Sequence, residues 1–308
     1  MSQNIINTEE FNTFLTISCG LNTDEGNPRM KQIMHRMMSD FCNLIEEFDI
    51  SDEEFWTAVN YLNVLGERKE VALLAAGLGL EHFLDMRADA KELAAGQAGG
   101  TPRTIEGPLY VANAPLSKGY TRMDDGQDAG EPMWLFGQVT DQHGKPVSGA
   151  IVDIWHANTL GNYSFFDQSQ SEYNLRRRIE TGEDGRYAVR SILPSGYGCP
   201  PDGPTQSLLN QLGRHGNRPA HIHFFVSGPG HKHLTTQINL NGDAYLWDDF
   251  AFATREELIA DPIKVTDANV SRDRDMPFPH TEIRFDFQLV SSDAVDEEKR
   301  IKRERALE

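Results

Sequence analysis

NRPAHIHFFV, residues 217–226, has the composition of a β-strand. Pro219 fixes the backbone and disfavours helix at the residue before it, and an apolar, β-favouring run follows. Residues two apart in a strand share a face, so His221 and His223 project together while Ile222 and Phe224 face the other way. Two imidazoles so placed can chelate one metal ion. Histidines in strands also serve as hydrogen-bonded core or surface residues, so the pair alone leaves both roles open. Arg218 stands just upstream.

Working outward, the same character recurs. WLFGQVTD (134–141), AIVDIWHA (150–157), GRYAVRSIL (185–193), TTQINL (235–240) and EIRFDFQLV (282–290) are short and β-rich, with turn signals such as DQHGKPVSG between them. Strands without long intervening helices indicate an antiparallel sandwich. A helix is expected between late strands, from Asp248 to Ala260. The first hundred residues read differently. Asn27 and Pro28 form an N-cap and first-turn pair before Met30, Ile33, Met34, Met37, Phe41, Leu44 and Ile45, which recur at helical spacing. Ser51 and Glu54 make a capping box, and Gly66 is placed to end that helix. EVALLAAGLGLEHFLDMR, residues 70–87, reads as a third helix, apolar on more than one face and so buried against other helices or a second subunit. AAGQAGGTP (94–102) loses all periodicity and marks a boundary. The expected class is α+β, mainly β: a helical segment over 1–104, an antiparallel β-sandwich over 105–290, and a charged tail over 291–308 that is a solvated helix or frayed end.

The 308 residues suffice for one large or two ordinary domains. A formal net charge of −18, from 47 acidic and 29 basic residues, favours solubility and argues against nucleic acid as a partner. The opening MSQNIINTEEFN lacks a basic, then apolar, leader, and no apolar run reaches the ~18 residues of a membrane span. A cytoplasmic protein is expected. Cys19, Cys42 and Cys199 are scattered without CxxC spacing, which suggests neither a disulfide framework nor a zinc ribbon.

His231 and His233 share the HxH spacing but follow SGPG and flank Lys232, as in an exposed loop, so they are expected to be solvated. His156, at a strand end, reads as structural or as support for a site. His35 and His82 fall in the helical part and carry no assignment. A metal held by two histidines needs further donors, and no HxxxE or HxxE companion offers the common carboxylate. Tyr163, in LGNYSFFD, and Tyr197, in LPSGYGCPP, sit in loop-like settings near strand ends. A phenolate is a hard anionic donor suited to ferric iron. Spacing does not select these two among eight tyrosines.

The stretches TPRTIEGPLY (101–110), DIWHANTLGNYSFFD (153–167), ILPSGYGCPPDGPTQ (192–206), LLNQLGRHGNRPAHIHFFVS (208–227), LTTQIN (234–239) and DDFAFATRE (248–256) together resemble the intradiol ring-cleavage dioxygenases, most closely their catechol-cleaving branch. The resemblance spans nearly the whole chain, up to about Val290. It implies one non-haem Fe(III) per subunit, held by Tyr163 (equatorial), Tyr197 (axial), His221 and His223. Arg218 and Gln237 match polar residues beside the substrate; Leu73, Ile105, Pro108, Leu109, Phe250 and Ala251 match positions lining its pocket. Catechol and dioxygen are the implied substrates and cis,cis-muconate the product, in aromatic-compound catabolism. The metal's hydroxide and the released Tyr197 phenolate would accept the two catechol protons, and Arg218 would stabilise charge shifted into the ring. The helical segment resembles the family's linker, through which two subunits form a homodimer and which can hold a phospholipid.

The mostly apolar wall positions, with no further cation beside them, disfavour a carboxylated ring and favour plain or alkyl-substituted catechol. Hydroxyquinol or chlorocatechol cleavage is the alternative. From other classes, a non-catalytic transthyretin-like sandwich would be colourless and metal-free, and a zinc hydrolase on His221 and His223 lacks an obvious third ligand.

Overall fold

A computed structural model describes residues 5–97 and 99–292. The chain divides into two compact units, Met1–Glu67 and Arg68–Glu308. The composition boundary at 94–102 marks where the first run of helices ends. The tail expected over 291–308 lies, from residue 293 on, outside the described residues.

The first unit holds helices α1 (Glu9–Ser18), α2 (Pro28–Phe48) and α3 (Asp52–Glu67). Their starts follow the sequence signals. The Asn27 side chain accepts from the Met30 N–H at 3.1 Å, with Pro28 in the first turn. The Ser51 N–H donates to Glu54 at 2.9 Å, and the Glu54 N–H to the Ser51 hydroxyl at 3.3 Å. Along α2, Met30, Ile33, Met37, Phe41, Leu44 and Phe48 are all exposed in the single chain.

In the second unit, the segment read as one helix is two: α4 (Val71–Gly77) and α5 (Leu80–Ala94). Gly79 between them adopts a left-handed φ of 75°, which breaks the helical path and lets α5 set off in a new direction. The strands follow as β1 (Leu116–Lys118), β2 (Tyr120–Arg122), β3 (Pro132–Asp141), β4 (Ile151–His156), β5 (Arg176–Glu180), β6 (Arg186–Ile192), β7 (Tyr197–Gly198), then helix α6 (Pro204–Gln211). After it come β8 (Asn217–Arg218), β9 (His221–Ser227), β10 (Leu234–Leu240), β11 (Ile259–Ala260), β12 (Ile263–Val265), β13 (His280–Arg284) and β14 (Phe287–Leu289).

One six-stranded sheet runs β1-β5-β4-β9-β10-β11; the other runs β12-β13-β3-β6-β2, with β14 also on β3. The middle pairs β5-β4, β4-β9, β9-β10 and β3-β6 are antiparallel, as expected. The pairs β1-β5, β10-β11, β13-β3, β14-β3 and β2-β6 are parallel, so both sheets are mixed rather than antiparallel. The parallel additions are mostly short edge strands such as Leu116–Lys118 and Tyr120–Arg122, too brief and too polar to announce a direction in sequence. The expected helix at 248–260 is absent: the segment is turns and irregular backbone, a single 3-10 turn at Glu256–Leu258 and then the short strand β11. Asp249 accepts from the Ala251 N–H at 3.1 Å and the Ala253 N–H at 3.3 Å, a local arrangement that competes with helix.

The inner faces supply the core. Leu135 and Val139 of β3, Val152 and Ile154 of β4, Val189 of β6, and Ile222, Phe224 and Val226 of β9 are fully buried in one cluster. His221 and His223 therefore point outward from the sandwich. His156, on the inner face with Ile154, lies 2.8 Å from the Ser191 hydroxyl of β6 and 2.8 Å from the Ala157 carbonyl, so it ties the two sheets together. Burial brings its imidazole down to about 4, so it stays neutral. Among the described residues no helix is long and apolar enough to cross a membrane.

Candidate active site

The outer face of the first sheet carries His221 and His223, each at most 2% exposed. Their backbones are fixed on both sides: β9 pairs with β10, placing Gln237 opposite His223 and Asn239 opposite His221, and with β4, placing Trp155 opposite His223. The Trp155 ring stacks on the His223 ring at 5.0 Å with the planes 3° apart. At His221 the hydrogen bonds decide the tautomer. Nδ1 lies 2.6 Å from the Pro219 carbonyl and must donate to it, while Nε2 lies 3.0 Å from Arg218 Nη1, which can only donate. Nε2 therefore keeps its lone pair toward the site. Burial, then Arg218, lowers the His221 imidazole to about 3; burial, then His221, holds that of His223 well below its ordinary value. Both rings are neutral, the form that ligates metals.

The two tyrosines arrive from separate loops. The chain leaving β4 turns at Gly161, whose φ of 80° suits glycine and whose missing Cβ would lie 2.5 Å from the Tyr197 Cβ. That close approach brings the Tyr163 and Tyr197 loops together. Tyr197 belongs to the β7-β8 ribbon, directly opposite Arg218. The Tyr163 and Tyr197 hydroxyls are each 3.4 Å from His221 Nε2 and 3.5 Å from each other, and His223 Nε2 is 3.1 Å from His221 Nε2. Four donor atoms sharing one ion at bonds of about 2 Å stand about 3.3 Å apart in a tetrahedral arrangement. The donor set thus fits a metal ion. Burial, then the Tyr197 hydroxyl, holds the Tyr163 phenol well above its ordinary value, so this donor set calls for a strongly charged cation to displace its proton. Among the described residues no cluster of three or more His, Cys, Asp or Glu offers a competing centre.

Beside the four donors lies a buried polar network that sequence only half revealed. Arg218, 4% exposed, donates to both oxygens of Asp249 at 3.1 Å and to the Gln237 side-chain carbonyl at 2.9 Å. The Gln237 amide donates to Asn239 at 2.6 Å. Burial alone would lower the Arg218 guanidinium and raise the Asp249 carboxyl. Their mutual attraction wins, so Arg218 stays above its ordinary value and Asp249 below. Within DDFAFATRE nothing distinguishes Asp249 from Asp248. In space, Asp248 is exposed and meets His215 at 3.0 Å, whereas Asp249 is buried under Arg218.

Of the expected pocket residues, Ile105, Phe250 and Ala251 are buried in one cluster with Ala76, Cys199, Leu209 and Ala253, and Leu73 packs against it. Leu109 belongs to a second cluster with Trp155, Tyr163 and Tyr197. Pro108 is exposed and belongs to neither. The segment around Gly107 passes the histidine pair, since a Cβ on Gly107 would lie 3.7 Å from His223 Cε1. Arg176, 1% exposed, was also missed. It donates to the carbonyl and hydroxyl of Ser164 at 3.0 and 2.9 Å and to the Leu109 carbonyl at 2.8 Å, fixing the residue after Tyr163. His231 and His233 are apart from these donors and half-buried rather than fully solvated; His233 packs on Phe225 with ring centres 5.0 Å apart.

Comparison with known proteins identifies the family of the chain. Residues 105–291 match the model of the family described as Dioxygenase, and residues 27–96 that described as Catechol dioxygenase N terminus. A catechol 1,2-dioxygenase of Acinetobacter baylyi is 55% identical over 293 residues, 94% of either chain. A hydroxyquinol 1,2-dioxygenase of a Rhizobium species is 36% identical, over 80% of this chain and 83% of its own. The crystal structure of catechol 1,2-dioxygenase from Pseudomonas arvilla C-1 superposes with a TM-score of 0.95 at 58% identity, covering 99% of each chain. The chain belongs to the catechol dioxygenase family and is an intradiol ring-cleavage dioxygenase.

Proposed function

We propose that this chain cleaves catechol between its two hydroxyl-bearing carbons, with dioxygen, to cis,cis-muconate, using one non-haem ferric ion per chain held by Tyr163, Tyr197, His221 and His223. The observation that carries this reading is the meeting of two phenols and two neutral imidazoles beside the buried Arg218-Asp249-Gln237 network. Ferric iron at these donors would supply Lewis-acid and redox activation of a bound catecholate. The remaining work falls to the chain. Tyr197, half-buried and opposite Arg218, would as a phenolate accept a substrate proton at its oxygen. The Arg218 guanidinium, held by Asp249 and Gln237, presents a preorganised positive charge where negative charge accumulates on the ring, and burial keeps it from being screened by water. Leu73, Ile105, Phe250 and Ala251 form an apolar wall that suits an unsubstituted ring and gives a ring carboxylate no partner.

Residues 105–290 form the catalytic domain in this reading and 1–104 the linker; the exposed apolar side of α2 supports a homodimer through those helices, with phospholipid as an accompanying ligand. In this reading the enzyme works in the cytoplasm. The test is to purify the protein, quantify iron, add catechol and follow oxygen uptake. A red-brown protein with one iron per chain and catechol-dependent uptake supports the proposal. A colourless protein that takes up no oxygen after ferric loading overturns it.

A further inference from the structure

The apolar wall is held from behind. Arg214 follows α6, where Gly213 turns through a left-handed φ of 69° and the Arg214 N–H donates to the carbonyl of fully buried Leu209 at 2.8 Å. From that anchor its guanidinium donates to the Gly77 carbonyl at 2.7 Å and the Phe250 carbonyl at 3.0 Å, and it lies 4.8 Å from the centre of the Phe252 ring. Gly77 is the last residue of α4, whose final carbonyls lack intrahelical donors, so Arg214 satisfies one of them. Phe250 belongs to the turn that Asp249 pins from the site side through the Ala251 and Ala253 N–H groups. In the same turn Phe252 sits at a positive φ of 57°, a strained conformation for a bulky residue that the surrounding contacts must hold. One guanidinium thus joins the α4 wall, with Leu73 and Ala76, to the Phe250–Ala251 wall. The walls also touch directly: a Cβ on Gly77 would lie 3.0 Å from Phe250 Cε2 and 3.2 Å from Cδ2.

We propose that Arg214 is a specificity-determining positioning residue: by joining the Gly77 and Phe250 carbonyls it sets the spacing of the two apolar walls, and so decides which ring substituents on a catechol are accepted. The inference rests on the catechol-cleaving reading above. Releasing the clamp lets the walls part, and a methyl group on Gly77, meeting the Phe250 ring at 3.0 Å, wedges them apart as well.

The experiment compares kcat/KM for 4-methylcatechol and catechol in wild type, Arg214→Ala, Arg214→Lys and Gly77→Ala, each with iron quantified. We expect the methylcatechol-to-catechol ratio to rise about threefold or more in Arg214→Ala, chiefly through KM, within the ~10–200-fold that one methylene can command in an apolar pocket. Arg214→Lys, which can reach one carbonyl but not both, falls between, and Gly77→Ala shifts the ratio the same way as Arg214→Ala. If Arg214→Ala does not fold, Arg214→Lys decides by the same ratio. An unmoved ratio with both substrates losing kcat/KM in parallel, or opposite directions of change in Arg214→Ala and Gly77→Ala, overturns the inference. Wild-type protein inactive on both substrates overturns the catechol-cleaving reading instead.

Discussion

Replacing Asp249 by asparagine separates the charge of the buried network from its shape. The Asp249 side chain is 1% exposed and that of Arg218 is 4%. The carboxylate accepts four N–H groups: two from Arg218, at 3.1 Å each, and those of Ala251 and Ala253 at 3.1 and 3.3 Å. Asparagine retains one acceptor oxygen and turns an NH2 toward N–H groups, so donors face donors around a guanidinium with no counter-charge. Removing one partner of a buried ion pair costs about 3–5 kcal/mol. For a protein of this size that amounts to a melting temperature lower by roughly 5–8 °C. Arg218 then keeps Gln237 but loses its main anchor, and a misdirected electrostatic group should lower kcat/KM for catechol by on the order of ten- to a hundredfold. Thermal melts by circular dichroism and steady-state oxygen uptake read the two effects. Adding Arg218→Met to Asp249→Asn removes the stranded charge, so the double variant should be less destabilised than the sum of the singles, with a coupling on the order of 1–3 kcal/mol. A single variant that melts within about 2 °C of wild type, or strictly additive singles, would refute the assignment of Asp249 as the counter-charge of Arg218.

Tyr163→Phe keeps the ring and removes one of the four donors, so the visible absorption should change, bound iron should fall and turnover should drop at least about tenfold, all measurable on one preparation. His231→Ala should leave colour and turnover as they are; a bleached protein would mean that the wrong HxH pair has been assigned. Asp85 gives a pH-dependent prediction. Burial, with Asp89 and Glu81 adding and Arg255 and Arg103 opposing, raises its carboxyl from 3.8 to about 6. The folded protein therefore holds that proton more tightly than the unfolded chain, and this group's contribution to stability falls as pH rises from about 4 through about 6. Asp85→Asn should raise the melting temperature relative to wild type more at about pH 8 than at about pH 4, and an equal difference at both would exclude the effect.

Much of this was written in local sequence. The alternation in NRPAHIHFFV places His221 and His223 outward and Ile222 and Phe224 in the core, as found. Asn27 and the Ser51-Glu54 pair mark helix starts because capping is a contact within a few residues. What sequence did not show depends on distant pairing. Tyr163 meets His221 across 58 positions, and only the β4-β9 pairing and the Gly161 turn bring them together; the resemblance, not spacing, pointed to that tyrosine. Asp249 and Arg218 are 31 positions apart, with nothing local to separate Asp249 from its exposed neighbour. The break at Gly79 and the parallel edges were missed because a glycine inside an apolar run and three-residue polar strands carry no directional signal.

The β7-β8 ribbon has a practical consequence for anyone redesigning this enzyme. Tyr197 and Arg218 face one another across only two pairs of residues, Tyr197 with Arg218 and Gly198 with Asn217. A backbone adjustment at either residue is passed to the other, so the two side chains cannot be tuned as independent variables. Libraries that randomise 197 and 218 one at a time would sample mostly broken combinations. Productive variants should be sought by exchanging residues 196–199 and 216–219 as a block.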